Sequence, residues 1–176
     1  MPASFTEDGA NGGRQRLAVD YFLKIDGIEG DSTDAKHKGE IEPQSFGWGV
    51  AQSAVATGRA GGAGAGKPQF RDLVFVQRVG KSSTKLFLAC ATGQHLKEAT
   101  LSAHTSGKTP LEFLTIKLTD VVVSSFEEAA TDGEHPFEHV ALRFAKIELT
   151  YRPQGPAGKA GPALKAGYDL KLNKKV

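Results

Sequence analysis

The sequence predicts a mostly β protein, a small β-barrel or tight sandwich of antiparallel strands with one short α-helix. Three observations lead there. Apolar residues recur at every second position over several short stretches, clusters of Gly, Pro, Asn, Asp and Ser separate those stretches, and a single stretch carries both the start and the stop signal of a helix. The 176 residues suit one domain, which near this size buries about 70% of the surface its unfolded chain exposes. Hydrophobic residues at 39% and charged residues at 24% are globular values, so the chain is expected to fold. Residues 1–16, with Ser4, Asp8, Gly9, Asn11, Gly12 and Gly13, have little to bury and read as a flexible N-terminal extension; residues 17–176 are taken as the barrel domain.

The first strand starts at Val19, where Val19, Tyr21, Leu23 and Ile25 take one side and Asp20, Lys24 and Asp26 the other, with Phe22 out of pattern. Residues 28–39 are polar and turn-rich. Residues 40–52 return to strand character through Ile41, Phe46, Trp48 and Val50, and Gly47 and Gly49 beside Trp48 predict a bend or a close backbone approach. Residues 53–68 hold Gly58, Gly61, Gly62, Gly64 and Gly66 with almost no large apolar side chain, which predicts a long flexible loop. Leu73, Val74, Phe75 and Val76 follow in succession, a strand that needs cover on both faces. Ser82 or Ser83 can then N-cap a helix containing Leu86, Phe87, Ala89, Cys90 and Ala91, and Gly93 can end it in a left-handed cap. Residues 100–105 and 111–124 read as strands, the second with Leu114, Ile116 and Leu118 on one face before Val121, Val122 and Val123 place apolar groups on both. Along residues 139–151, Val140, Leu142 and Phe144 are in one phase and Ile147, Leu149 and Tyr151 in the other, which predicts a β-bulge near Ala145 or Lys146. After a Gly/Pro connector at residues 155–161, Tyr168, Leu170 and Leu172 alternate with Asp169, Lys171 and Asn173 as a final strand.

Several functional classes find little support. A formal net charge of +2 does not call for a nucleic-acid or anionic-membrane partner, although Arg152, Lys159, Lys165, Lys171, Lys174 and Lys175 against Asp169 make the C-terminal end basic. No apolar run reaches the roughly 20 residues needed for a membrane-spanning helix, and the first residues lack the basic start and apolar stretch of a signal peptide. Gly61, Gly66 and Lys67 have phosphate-loop spacing, but Pro68 replaces the hydroxyl residue that would ligate magnesium, and a strand rather than a helix is expected to follow. His135 and His139 would share a face on a helix, as zinc ligands do, but Pro136 and the turn-like Asp132 and Gly133 argue against one, and on a strand they stand about 13 Å apart. Cys90, the only cysteine, sits among apolar neighbours and reads as a small core residue rather than a reactive thiolate. Trp48, Phe46 and Tyr21 lack the interleaved basic stripe of a base-stacking platform. No catalytic pair, metal site or cofactor site is expected.

The segments YFLKIDGIEGDS (21–32), HKGEIEPQSFGWGV (37–50), LFLACATGQHLKEATL (86–101), YRPQ (151–154) and GYDLKLNKKV (167–176) together resemble, in family order, the haemolysin-coregulated (Hcp) tube proteins of the type VI secretion system. The N-terminal extension, Tyr168 in place of Trp and Pro43 within a strand depart from the pattern. The resemblance implies a β-barrel with one helix, a homo-oligomer of hexameric rings stacked into the inner tube, and carriage of effectors in the lumen. The implied partners are the spike protein at the tube tip, the contractile sheath and effectors, with no nucleic acid, no membrane insertion and no cofactor. The implied route runs from the bacterial cytoplasm out through the machine, without a signal peptide. Because strands apolar on both faces need cover beyond one barrel interior, Val74, Val76, Val121 and Val123 are the candidate ring contacts. The loop holding Gly58, Gly61, Gly62, Gly64 and Gly66 is the candidate contact between stacked rings. The rival readings are a monomeric enzyme and a monomeric barrel that binds a small ligand or a polyanion.

Overall fold

The longest strand partnership organises the molecule. In the computed structural model, which describes residues 18–52, 67–107, 109–155 and 159–176, β5 (Glu112–Ala129) and β6 (Phe137–Tyr151) run antiparallel along almost their whole length. Around them are β1 (Val19–Ile25), β2 (Ser45–Gln52), β3 (Pro68–Arg78), α1 (Ser83–Thr92), β4 (His95–Thr105), β7 (Leu164–Asp169) and β8 (Lys174–Lys175). Every pairing is antiparallel, in the order β1-β4-β5-β6-β3-β2, with β7 on β6 and β8 on β7. The mostly β architecture with one short helix is the expected class. The expected N-terminal extension and residues 53–66 of the expected Gly-rich loop lie outside the described residues, and Pro68, taken as the end of that loop, already belongs to β3.

β6 serves two neighbours on one edge: β3 pairs with Phe137 through Leu142, and β7 with Lys146 through Tyr151. Between the two, both central strands change the face they bury. β5 buries Ile116 and Leu118, then Val121 and Val123; β6 buries Val140, Leu142 and Phe144, then Ile147. The bulge expected at Ala145 or Lys146 is not what accomplishes this, because Thr119 still opposes Lys146 and Val121 still opposes Phe144 in one register. Asp120 instead adopts a left-handed backbone, φ 54°, so the two strands turn together. A short polar side chain tolerates that conformation, and here it accepts hydrogen bonds from His95 Nδ1 at 2.9 Å and from Lys171 Nζ. Both bonds hold the Asp120 carboxyl below its usual range, the Lys171 bond contributing most. The register shift that does occur lies between Val123 and Ser125.

The barrel closes where β1 meets the chain entering β2. Leu23 and Ile41 exchange both backbone hydrogen bonds, at 2.8 and 2.9 Å, and Tyr21 meets the edge of Phe46 with ring centroids 5.2 Å apart. Inside, Leu23, Leu73, Phe75, Leu101, Ile116, Leu118, Val140 and Leu142 are essentially fully buried, so the interior is packed rather than hollow. The expected bend in β2 is present as a register shift between Gly47 and Gly49. The final strand is shorter than its alternation suggests: β7 ends at Asp169, and a turn with Asn173 at φ 52° sends β8 back along it.

Helix α1 covers one side of β5 with Leu86 and Ala89, and Gly93 ends it in the left-handed region at φ 65° as expected. Ser82 is the N-cap by position, but its hydroxyl makes no capping bond and instead accepts from Gln77 Nε2 at 2.9 Å. Gln77 also donates to the fully buried Glu138 at 2.6 Å, its cross-strand partner.

Phe22, out of pattern in the sequence, is buried on the outer side of the sheet by a flap formed from residues 26–41. His37 stacks on it, centroids 4.2 Å apart, and His104 abuts both rings edge-on. His104 Nε2 is buried with no hydrogen-bond partner among the described residues; Glu112 Oε2 stands 3.6 Å away. Burial, followed by the nearby His37 and only partly offset by Glu112 and Asp34, pushes His104 below its ordinary 6.5. The unfolded chain therefore binds this proton more readily than the folded one, and stability falls as pH drops below 6.5 toward the folded value. Urea unfolding across that range should show the decline, and His104→Phe should flatten it; an unchanged slope would exclude His104 as the source.

Candidate assembly surface

Strand β3 carries the decisive alternation. Leu73 and Phe75 point into the barrel and are fully buried, which forces Val74 outward, where it is 40% exposed. Its cross-strand neighbours are small, Gly47 on β2 and Ala141 on β6. A Cβ on Gly47 would meet nothing within 4 Å among the described residues. The outcome is a shallow groove of about 580 Å³ lined by the apolar Trp48, Phe70 and Val74 and by the charged Arg71 and Asp72. Asp72 is fixed by the Ser124 hydroxyl at 2.5 Å and by Arg143 at 3.4 Å. Apolar side chains beside charged ones are a composition that protein–protein contacts share with other surfaces.

Of the four valines singled out, two lie on this face. Val74 lines the groove, and Val76 is half-buried beside it, opposite Ser45 and His139. Val121 and Val123 are corrected: they turn into the chain's own core at 0% and 2% exposure, because the turn at Asp120 places the odd-numbered valines inward and leaves Val122 outward. Gly58, Gly61, Gly62, Gly64 and Gly66 lie outside the described residues. Pro68, which ends the phosphate-loop-like pattern, opens a strand. His135 precedes β6 while His139 lies on it, both exposed, and among the described residues no cluster of His, Cys, Asp or Glu could hold a metal. Cys90 is half-buried and packs against the core. Trp48 and Phe46 pack against the core from its margin. Among the described residues no helix is long and apolar enough to cross a membrane.

Sequence reading missed the groove itself. Its signal was present in Gly47 beside Trp48, but Gly47 and Ala141 become neighbours of Val74 only when β2, β3 and β6 pair.

An antiparallel β-barrel with one short helix is a fold this chain shares with solved type VI secretion proteins. The family model for the type VI secretion system effector Hcp matches residues 22–151. The chain is 37% identical over 160 residues to protein hcp1 of Pseudomonas aeruginosa, covering 89% of this chain and 98% of that one. Among solved structures, Hcp1 of Salmonella typhimurium superposes with a TM-score of 0.76 at 36% identity, covering 91% of this chain and all of that one. A type six secretion system protein superposes at 0.84 with 32% identity, covering 90% of this chain and 100% of that one. The chain belongs to the Hcp family of type VI secretion proteins.

Proposed function

We propose that this chain is the ring-forming subunit of the inner tube. Six copies close into a ring, rings stack, and small effectors travel in the lumen, with the spike protein at the tip and the contractile sheath outside. The chain works by assembly rather than catalysis, without a cofactor, and passes from the cytoplasm out through the machine. The observation that carries this reading is the groove around Val74, an apolar face that a solitary chain leaves in water. The filled barrel interior supports it too, since a monomeric ligand-binding barrel keeps space inside, whereas here a lumen has to form between copies. The segment holding Gly58, Gly61, Gly62, Gly64 and Gly66 is assigned to contacts between rings for its reach and its lack of core residues; its removal should spare single rings and shorten stacks in electron micrographs.

Val74→Asp places a charge in the middle of the contact, where burial without a partner is unfavourable by several kcal/mol, roughly enough to reduce assembly a hundredfold or more. Sedimentation should show the variant as single folded chains under conditions where the natural chain forms rings. Single chains at every concentration for the natural protein, with no annular particles on grids, would refute the reading.

A further inference from the structure

We propose that the open seam beside β1 receives the basic C-terminal hairpin, β7–β8, of a second copy of this chain. This rests on the ring reading and assigns one of its contacts.

Among the described residues the seam is a strand edge left unpaired. Leu23 aims its N–H and C=O at Ile41, and the Ile25 carbonyl accepts from Ile28 N–H at 3.1 Å on the same side. Ala18 points the opposite way, its carbonyl accepting from Ser106 N–H at 2.8 Å. By this alternation Val19 and Tyr21 direct their backbone groups toward the Ile41 side. The residue that would continue the pairing opposite Tyr21 is Pro43, which has no N–H to give. The chain diverges there, and a groove of about 530 Å³ opens with Val19, Tyr21 and Pro43 as apolar floor and Asp20, Asp34 and Glu42 as acidic lining.

Those three carboxylates already accept bonds from neutral groups: Asp20 from the Ser106 hydroxyl at 2.6 Å, Glu42 from the Ser32 hydroxyl at 2.7 Å, and Asp34 from the Lys36 backbone N–H at 2.8 Å. Among the described residues none is in a salt bridge, and no Lys or Arg lines the groove. Lys36 and Lys38 lie on the same flap outside it.

The hairpin has the complementary features. Lys165, Lys174 and Lys175 have no salt bridge among the described residues, whereas Lys171 is taken by Asp120. Leu172 and Val176, at 61% and 55% exposure, flank the lysine pair with apolar surface. Val176 N–H donates to the Gly167 carbonyl at 3.1 Å, so Lys175, one residue earlier, turns its backbone groups away from β7. An unpaired edge with lysines and apolar ends thus matches an unpaired edge with carboxylates and an apolar floor, the elements of strand addition. The two patches are distinct surfaces of one chain, so the contact is heterologous, as a ring requires.

Charge reversal tests it on the full chain. Lys174→Glu with Lys175→Glu, and separately Asp34→Lys with Glu42→Lys, should each weaken ring assembly by about tenfold or more in sedimentation. The chain carrying all four changes should recover most of that loss, with each variant's melting curve confirming the fold. If each pair of reversals assembles like the natural chain, or if only the seam variant is impaired, or if the fourfold variant does not recover, the hairpin is not the occupant, while the ring reading stands. A natural chain that never assembles overturns both.

Discussion

Phe75→Ala is expected to destabilise the chain by about 3–5 kcal/mol, the range for removing a buried aromatic side chain and leaving its volume unfilled. Phe75 is fully buried, at the centre of β3, with Phe46 opposite it on β2 and Val140 on β6. Three strands lose a common packing partner, and none of the surrounding aliphatic side chains can extend to replace a ring. The neighbouring Val74→Ala serves as the contrast. It removes two methyl groups from a side chain that is 40% exposed, and should shift stability by only about 0.5 kcal/mol, as surface substitutions do, while weakening assembly. Urea unfolding at low protein concentration, where association contributes least, separates the two effects. Comparable stability losses at both positions would show that the inward and outward faces of β3 are not as described.

Gly30→Ala should cost about 2–4 kcal/mol, mainly through main-chain hydrogen bonds of about 0.5–1.5 kcal/mol each and uncovered apolar surface. A Cβ at Gly30 would overlap the Glu40 carbonyl and stand 2.6 Å from Ile41 Cα, all backbone atoms that no rotamer change can move. Relief requires the two arms of the flap to separate. That lengthens the bonds from Gly30 N–H to the Gly39 carbonyl (2.8 Å) and from Ser32 N–H to the Glu40 carbonyl (3.0 Å), and it loosens the Leu23–Ile41 bridge that closes the barrel. Gly39→Ala is the control: its φ of 76° is strained for alanine, but nothing among the described residues lies within 4 Å, so only about 1–2 kcal/mol is expected. Hydrogen exchange at the Leu23 and Ile41 amides should accelerate in Gly30→Ala and much less in Gly39→Ala. Unchanged protection in both would mean that the flap does not secure the closure.

Much of the fold was legible because its signals are local. The alternation from Val19 to Ile25, the apolar run at Leu73 to Val76 and the Gly93 stop all depend on residues within a few positions of one another, and each element stands where they place it. The phase change after Phe144 was also visible, but not its cause. A bulge on β6 explains the sequence of β6 alone; the left-handed backbone of Asp120 on the partner strand explains both strands, and its holders, His95 and Lys171, come from distant parts of the chain. The candidate site divides in the same way. A run of apolar residues announces that both faces of β3 and β5 want cover, yet it does not tell which valine faces which side, and Val121 and Val123 proved to face inward.

By itself, then, the sequence determined where strands and the helix form, that the domain is mostly β, and that five ordered segments resemble the Hcp family, since backbone propensity, turn chemistry and side-chain period act over short distances. Tertiary structure alone decided which face each strand presents, where the barrel stays open and which small residues meet around Val74. Those outcomes depend on pairings between residues far apart in the chain, and a change of one residue in register exchanges the inside for the outside.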